Sequence, residues 1–136
     1  MRTLVLFRLM LIASALFVLT ALLLRASQFG MPSELLRYKN ANSPLAGEWS
    51  GLANYFLGLS FLLAFTWAVV ALYSFRAFAK ESAVTAMLLF SILPIVQGPV
   101  IEFGWTVSLE HMALALLAAA FVLARLSPLK EFFPRE

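Results

Sequence analysis

SILPIVQGPVIEFGWTVSLEHM, residues 91–112, is the stretch that decides how this chain can fold. It places two prolines, one Gln, two Glu and the only His of the chain in an otherwise hydrocarbon-like region. Proline inside a helix removes an amide donor and clashes with the carbonyl four residues earlier, so Pro94 and Pro99 predict a kinked or locally unwound helix. In a bilayer the freed carbonyls need partners, and we therefore expect this segment to face protein or trapped water.

The composition around this stretch indicates that the solvent of the fold is lipid. Hydrophobic residues make up 62% of the 136 residues and charged residues 12%, whereas soluble domains have roughly 45–50% apolar and about 25% charged residues. One membrane span needs about 20 apolar residues, so the chain has room for about four or five spans and for one domain. We expect a single membrane domain covering residues 1–136.

Four apolar segments predict an all-α integral membrane protein, built as a four-transmembrane-helix bundle. The predicted spans are residues 3–24, 51–75, 82–103 and 107–126, with an outer loop at 25–50 and a tail at 127–136. Pro32–Tyr38 predicts a short interfacial helix between spans 1 and 2, followed by a turn at Asn40–Pro44. Gly104–Ser108 is interpreted as the hairpin before the last span. Arg8, near one end of its span, is expected to snorkel to the headgroups.

The basic residues predict the orientation of the bundle. Seven of them fall on one side and three, Arg25, Arg37 and Lys39, on the other. The first side holds Arg2, Arg8, Arg76, Lys80, Arg125, Lys130 and Arg135. By the positive-inside bias both termini are cytoplasmic, and we expect a multi-pass protein of the bacterial inner (cytoplasmic) membrane. No basic run exists that could follow a phosphate backbone, so nucleic acid is not expected as a partner.

With this topology, polar residues from several segments meet toward the outer face. The candidate proton-active (catalytic) residues are Glu102, Glu110 and His111, and the candidate ligand-binding residues are Gln97, Asn54, Trp49, Glu48 and Trp105. Two carboxylates at similar depth on neighbouring helices can share a proton or bind a cation. An alternative is that these residues, being close to span ends, contact only water and headgroups.

The chemistry of this cluster depends on how its carboxylates are compensated. No Lys or Arg lies near Glu102 and Glu110 in the hairpin, so we expect at least one of them to be protonated or paired with His111. The side chain of His111 points about 100° away from that of Glu110 around the helix, so the two need not face one cavity.

Neither a metal nor a cofactor is expected. The chain has no Cys, which excludes thiolate ligands and disulfides. The single His lacks the i, i+3 or i, i+4 pairing with carboxylates that helical metal sites use, and it cannot supply the His pair that haem ligation between helices needs.

Three classes of function remain open for such a protein. The first is a binding or accessory subunit that engages a larger membrane complex, a second copy or a lipid-like molecule at the outer polar cluster. The second is a small membrane enzyme that acts on a lipid-like substrate by Glu/His proton transfer. The third is a proton- or cation-coupled carrier that works as an oligomer and uses the broken third helix.

Overall fold

The computed structural model describes residues 2–27, 32–41, 48–97, 104–126 and 128–133. Its helices are α1 (Arg2–Ser27), α2 (Ser33–Ala41), α3 (Glu48–Tyr73), α4 (Ala79–Gln97) and α5 (Gly104–Leu126), followed by a 3₁₀ helix (Pro128–Phe132). No strand occurs in these ranges. The predicted all-α class is therefore confirmed.

Three of the helices are long and apolar enough to cross a bilayer. They comprise Arg2–Ser27, Tyr55–Tyr73 and Gly104–Arg125. Three such helices in a chain of 136 residues indicate a membrane protein. α4, which has 19 residues, is not one of the three.

α1 and α5 pack against each other along a seam with coiled-coil spacing. The buried residues alternate in steps of four and three along both helices, which is the pattern that inserts side chains of one helix between those of another. They are Phe7, Leu11, Ser14, Val18 and Ala21 on α1 and Ala113, Leu117, Ala120 and Ala124 on α5. The helices run antiparallel, since Arg25 near the end of α1 contacts Glu110 near the start of α5.

α3 and α4 form the second closely packed pair. Their buried residues are Phe65, Ala68, Ala71 and Leu72 on α3 and Ala79, Ala83 and Ala86 on α4. Small side chains allow two helix backbones to approach closely, which in lipid replaces the missing hydrophobic driving force. Contacts of α1 with α3 and of α4 with α5 complete a ring of four helices.

The chain turns between α3 and α4 through an unusual helix end. The Arg76 amide donates to the Ala71 carbonyl (2.9 Å) and the Phe75 amide donates to the Leu72 carbonyl (3.2 Å). These two bonds define a Schellman motif, whose left-handed position is normally occupied by glycine. Here that position is Phe75, with a φ of 52°. A large side chain at a glycine position suggests that its packing outweighs the backbone strain.

Several predicted boundaries need correction. Gly104–Ser108 is not a hairpin, because α5 begins at Gly104 and the Ser108 hydroxyl donates to the Gly104 carbonyl within it (2.7 Å). Glycine destabilises a helix by only about 1 kcal/mol relative to alanine, so its presence does not exclude helical structure. The turn predicted to begin at Asn40 is also wrong at its start, because α2 continues through Ala41.

The helices that contain the two middle predicted spans begin a few residues before those spans. α3 starts at Glu48 and α4 at Ala79, so the polar residues before each apolar run belong to the helix. α4 continues through Pro94 to Gln97. Pro99, the second predicted helix breaker, lies outside the described residues.

Candidate functional site

The structure describes the side chains of three predicted site residues, Trp105, Glu110 and His111. Glu102 lies outside the described residues. Glu48, Trp49, Asn54 and Gln97 lie in α3 and α4, but their side chains are outside the described part. The roles assigned to these five residues stay predictions.

Glu110 forms an ion pair with Arg25 across the seam between α1 and α5. An Arg25 Nη2 lies 2.8 Å from Glu110 Oε1, and the two side chains are 35% and 18% exposed. Arg25 follows Ala21 by four residues and Glu110 precedes Ala113 by three, so both continue the buried register of their helices. The ion pair is therefore the last layer of the seam, and we call this end of the bundle the ion-pair end.

This contact changes the interpretation of Glu110. The predicted hairpin supplies no basic residue near Glu110, and the compensating charge comes from the first helix instead. The expectation that at least one of Glu102 and Glu110 is protonated or paired with His111 did not consider Arg25, and it stays a prediction because Glu102 lies outside the described residues. The alternating spacing of four and three, extended one step beyond Ala21, is the sequence signal that would have found it.

His111 is directed to other neighbours than Glu110. Its Nδ1 lies 2.7 Å from the Val107 carbonyl oxygen, and because a carbonyl only accepts, Nδ1 is the protonated nitrogen in this arrangement. The imidazole packs edge-on against the ring of Phe90 of α4, with 5.4 Å between centroids. Glu110 thus contacts α1 and His111 contacts α4, so these adjacent residues serve two different interfaces.

The surface of the ion-pair end is rich in exposed aromatic rings. Trp105, at the start of α5, is 68% exposed, and Tyr55, near the start of α3, is 65% exposed. Amphipathic aromatic rings concentrate where a bilayer meets water. Thr106, next to Trp105, is buried. This end therefore presents aromatic groups outward, while its ion pair lies within the seam.

A metal centre is not found in the described part of the chain. No group of three or more His, Cys, Asp or Glu side chains comes together there in a way that could hold a metal ion. Glu110, with its Arg25 partner, and His111, with its bond to Val107, are held by contacts within the bundle instead.

The opposite end of the bundle carries a cluster that the sequence did not reveal. The ring of Phe75 lies 5.8 Å from that of Phe7, 5.5 Å from Phe132 and 5.1 Å from Phe133. We call this the aromatic end. Phe133 and Leu129 are buried, so the segment after Pro128 folds back on the helices and is part of the core. The segment predicted as a tail is therefore packed against the helices at Leu129 and Phe133.

Two cations lie on the rings of the aromatic end. The Arg8 guanidinium carbon is 5.0 Å from the centre of the Tyr73 ring and 6.0 Å from that of Phe75. Lys80 Nζ is 5.4 Å from the centre of Phe133. Both distances to the nearer ring fall within the range of cation–π attraction. Arg8 therefore belongs to a defined cluster of side chains.

No known family model matches this chain, and neither a curated protein nor a solved structure shows significant similarity to it.

Proposed function

We propose that this protein is a membrane-embedded accessory subunit that binds a larger membrane partner through its ion-pair end. In this arrangement the bundle has four spans, both termini lie in the cytoplasm of a bacterium, α2 lies on the outer membrane surface, and the ion-pair end faces outward. The partner is a membrane protein that packs against the exposed aromatic rings around Trp105.

The observation that carries this proposal is that Glu110 and His111, two polar residues described at the ion-pair end, form their contacts within the bundle. Glu110 is compensated by Arg25, and His111 donates to a carbonyl of its own helix. Both groups therefore stabilise the bundle, as expected when the polar residues serve structure. What is offered to a neighbour is Trp105, and buried Trp residues are among the strongest contributors to protein interfaces.

The count of four spans is supported by how the chain ends come together. Phe7 near the start and Phe133 near the end both contact Phe75 of the α3–α4 turn at the aromatic end. Termini on one side require an even number of crossings. α4 packs against α3 and α5, both of which contain a candidate span, and this favours α4 as the fourth span.

Site-specific photocrosslinking tests the accessory role. A benzophenone amino acid replaces Trp105 in one tagged variant and Leu88, which is 58% exposed in α4, in a control. The chain is expressed in its native membrane and irradiated. We expect one abundant protein adduct from position 105 and none of that mass from position 88. Lipid adducts alone at both positions would contradict the proposal.

The enzyme hypothesis is kept as a second candidate because of the His111 tautomer. With the proton on Nδ1, the neutral ring has Nε2 as an acceptor, and His111 is exposed. Such a nitrogen can take a proton from a lipid-like substrate. Mass spectrometry of membrane lipids in cells expressing wild type or His111→Gln distinguishes the two. A lipid product lost only in the variant would support the enzyme.

A further inference from the structure

Arg8 and Arg25, two of the three arginines of α1, differ in their ion pairing. Arg25 forms an ion pair with Glu110. Arg8 has no ion pair in the described part of the chain, and its Nε, like that of Arg25, is buried there without a hydrogen-bond partner. Charged side chains in membrane segments are normally paired or drawn to the headgroup layer. In the described part of the chain no carboxylate pairs with Arg8 as Glu110 of α5 pairs with Arg25.

The aromatic neighbours of Arg8 orient its charge but do not neutralise it. The guanidinium lies over Tyr73 at 5.0 Å and Phe75 at 6.0 Å. A ring face attracts the cation and fixes the plane of the guanidinium, but it leaves the fork of N–H donors unmatched. A fork of this kind fits the oxygens of a phosphate group in a bidentate manner.

The surface next to Arg8 is the surface that lipid would cover. Val5 and Ile12, three residues before and four after Arg8, share its helix face and are 55% and 46% exposed. Acyl chains can lie along this face while the headgroup reaches the guanidinium. The described carboxylates near this end, Glu81 and Glu131, are exposed, and neither pairs with Arg8.

The remaining charges at this end are also favourable for an anion. Lys80 lies over Phe133, whose ring is 5.1 Å from Phe75, so a second cation borders the same aromatic cluster. Arg76 is exposed in the turn after Phe75. Basic pockets between membrane helices are suited to anionic lipid headgroups.

We propose that Arg8, held against Tyr73 and Phe75, binds the phosphate of an anionic phospholipid in the leaflet at the aromatic end. This site is separate from the partner-binding surface and does not depend on it. The proposal is that one anionic lipid binds selectively at Arg8. This binding is distinct from the general attraction of basic residues to an anionic membrane surface.

Native mass spectrometry of the full-length protein in detergent tests the proposal. Phosphatidylglycerol and phosphatidylcholine with identical acyl chains are titrated separately, and the dissociation constant of the first bound lipid is measured. Both lipids carry the phosphate, but phosphatidylcholine also places a choline cation beside it. Arg8 and Lys80 repel that cation, so we expect phosphatidylglycerol to bind about tenfold more tightly. Equal affinities would overturn the proposal.

Arg8→Gln and Arg76→Gln provide a matched pair of variants, because each removes one charge from the same end. Arg8→Gln is expected to weaken phosphatidylglycerol binding about tenfold or more, and Arg76→Gln less than about fivefold, the effect of one basic residue near an anionic surface. In Arg8→Gln, phosphatidylcholine binding should fall less than phosphatidylglycerol binding, because the choline cation already weakens its contact with the guanidinium. Equal losses of phosphatidylglycerol binding in the two variants would indicate diffuse attraction and contradict a site at Arg8.

Two further measurements distinguish a lipid from a free anion and test the role of the Tyr73 ring. Inorganic phosphate at the lipid concentration should not displace phosphatidylglycerol; full displacement would assign the site to a free anion and overturn the lipid proposal. If Arg8→Gln fails to fold, Tyr73→Leu removes the nearer ring and keeps every charge. It should weaken phosphatidylglycerol binding about threefold, and unchanged binding would contradict the role of the ring.

Discussion

The Ser14 hydroxyl of α1 donates a hydrogen bond to the Ala113 carbonyl of α5 at 2.7 Å, in a position fully closed to solvent. It joins two residues that lie 99 positions apart in the sequence. Because the acceptor is a backbone atom, no substitution on α5 removes it. The serine is the member of the pair that mutation can test.

Ser14→Ala should therefore destabilise the bundle. Hydrogen bonds between membrane helices contribute about 0.6 kcal/mol on average and about 1–2 kcal/mol in model peptides, so the loss should fall in that range. Thr20→Ala is the control, since Thr20 is exposed and donates to Leu16 of its own helix. Unfolding in mixed micelles with increasing dodecyl sulfate measures both. Equal losses of stability would mean that the hydrogen bond between α1 and α5 contributes no more than the exposed hydrogen bond of Thr20 within α1.

Arg25 and Glu110 should show energetic coupling in a double-mutant cycle. Their pair is partly exposed, so the coupling should lie between the roughly 0.2–1 kcal/mol of surface pairs and the 3–5 kcal/mol lost on breaking buried ones. Arg25→Gln, Glu110→Gln and the double variant are unfolded under the same conditions. Arg37→Gln on α2, which is exposed, replaces Arg25→Gln in the control cycle. Coupling that is equal in both cycles would exclude a specific pair.

Phe75 and Phe78 should respond oppositely to glycine. Both have left-handed backbones, with φ of 52° and 61°, and glycine relieves a strain of roughly 1–2 kcal/mol at such positions. Phe78 is 69% exposed, so Phe78→Gly should stabilise the protein by about 1 kcal/mol. Phe75 packs against Phe7, Phe132 and Phe133, so Phe75→Gly should destabilise it by about 1–3 kcal/mol.

Thermal unfolding in detergent compares these two variants with wild type. Phe75→Leu, which keeps a side chain but loses the ring, should lie between wild type and Phe75→Gly. A gain of stability in Phe75→Gly would show that the aromatic cluster contributes less than the strain it maintains.

Cysteine labelling tests the proposed orientation without interference, because the native chain has no Cys. Ser33→Cys, on α2, should react with a membrane-impermeant maleimide added to intact cells. Arg76→Cys, in the exposed turn after α3, should react only after the membrane is made permeable. The reverse pattern would place the ion-pair end in the cytoplasm and reassign the partner surface to that compartment.

The class of the fold could be predicted from the sequence because lipid imposes simple requirements. A helix satisfies its own backbone groups in a bilayer, so a long apolar segment indicates a helix almost without regard to its neighbours. Helix ends were less predictable. Glycine is typical of turns, and Gly104 was therefore assigned to one. It instead begins α5, where its carbonyl accepts a hydrogen bond from the Ser108 hydroxyl.

The candidate site was less accessible to sequence reasoning, since its main contact is not local. Nothing near Glu110 in the chain indicates that Arg25 is its partner; that follows from the register of two helices on opposite ends of the sequence. The same holds for Phe75, a residue in the middle of the chain whose ring neighbours come from the start and the end. His111 was placed correctly relative to Glu110 because helical geometry alone fixes their angle.

The seam between α1 and α5 also constrains how the protein is made. α1 is synthesised before α5, its principal packing partner, so during insertion its buried face with Ser14 and its Arg25 side chain must wait for α5. During that interval the face that α5 later covers is open to lipid, and Arg25 lacks its Glu110 partner. Stop codons just before α5 should therefore yield rapidly degraded fragments, and the arrival of α5 is the event that commits these helices to their native packing.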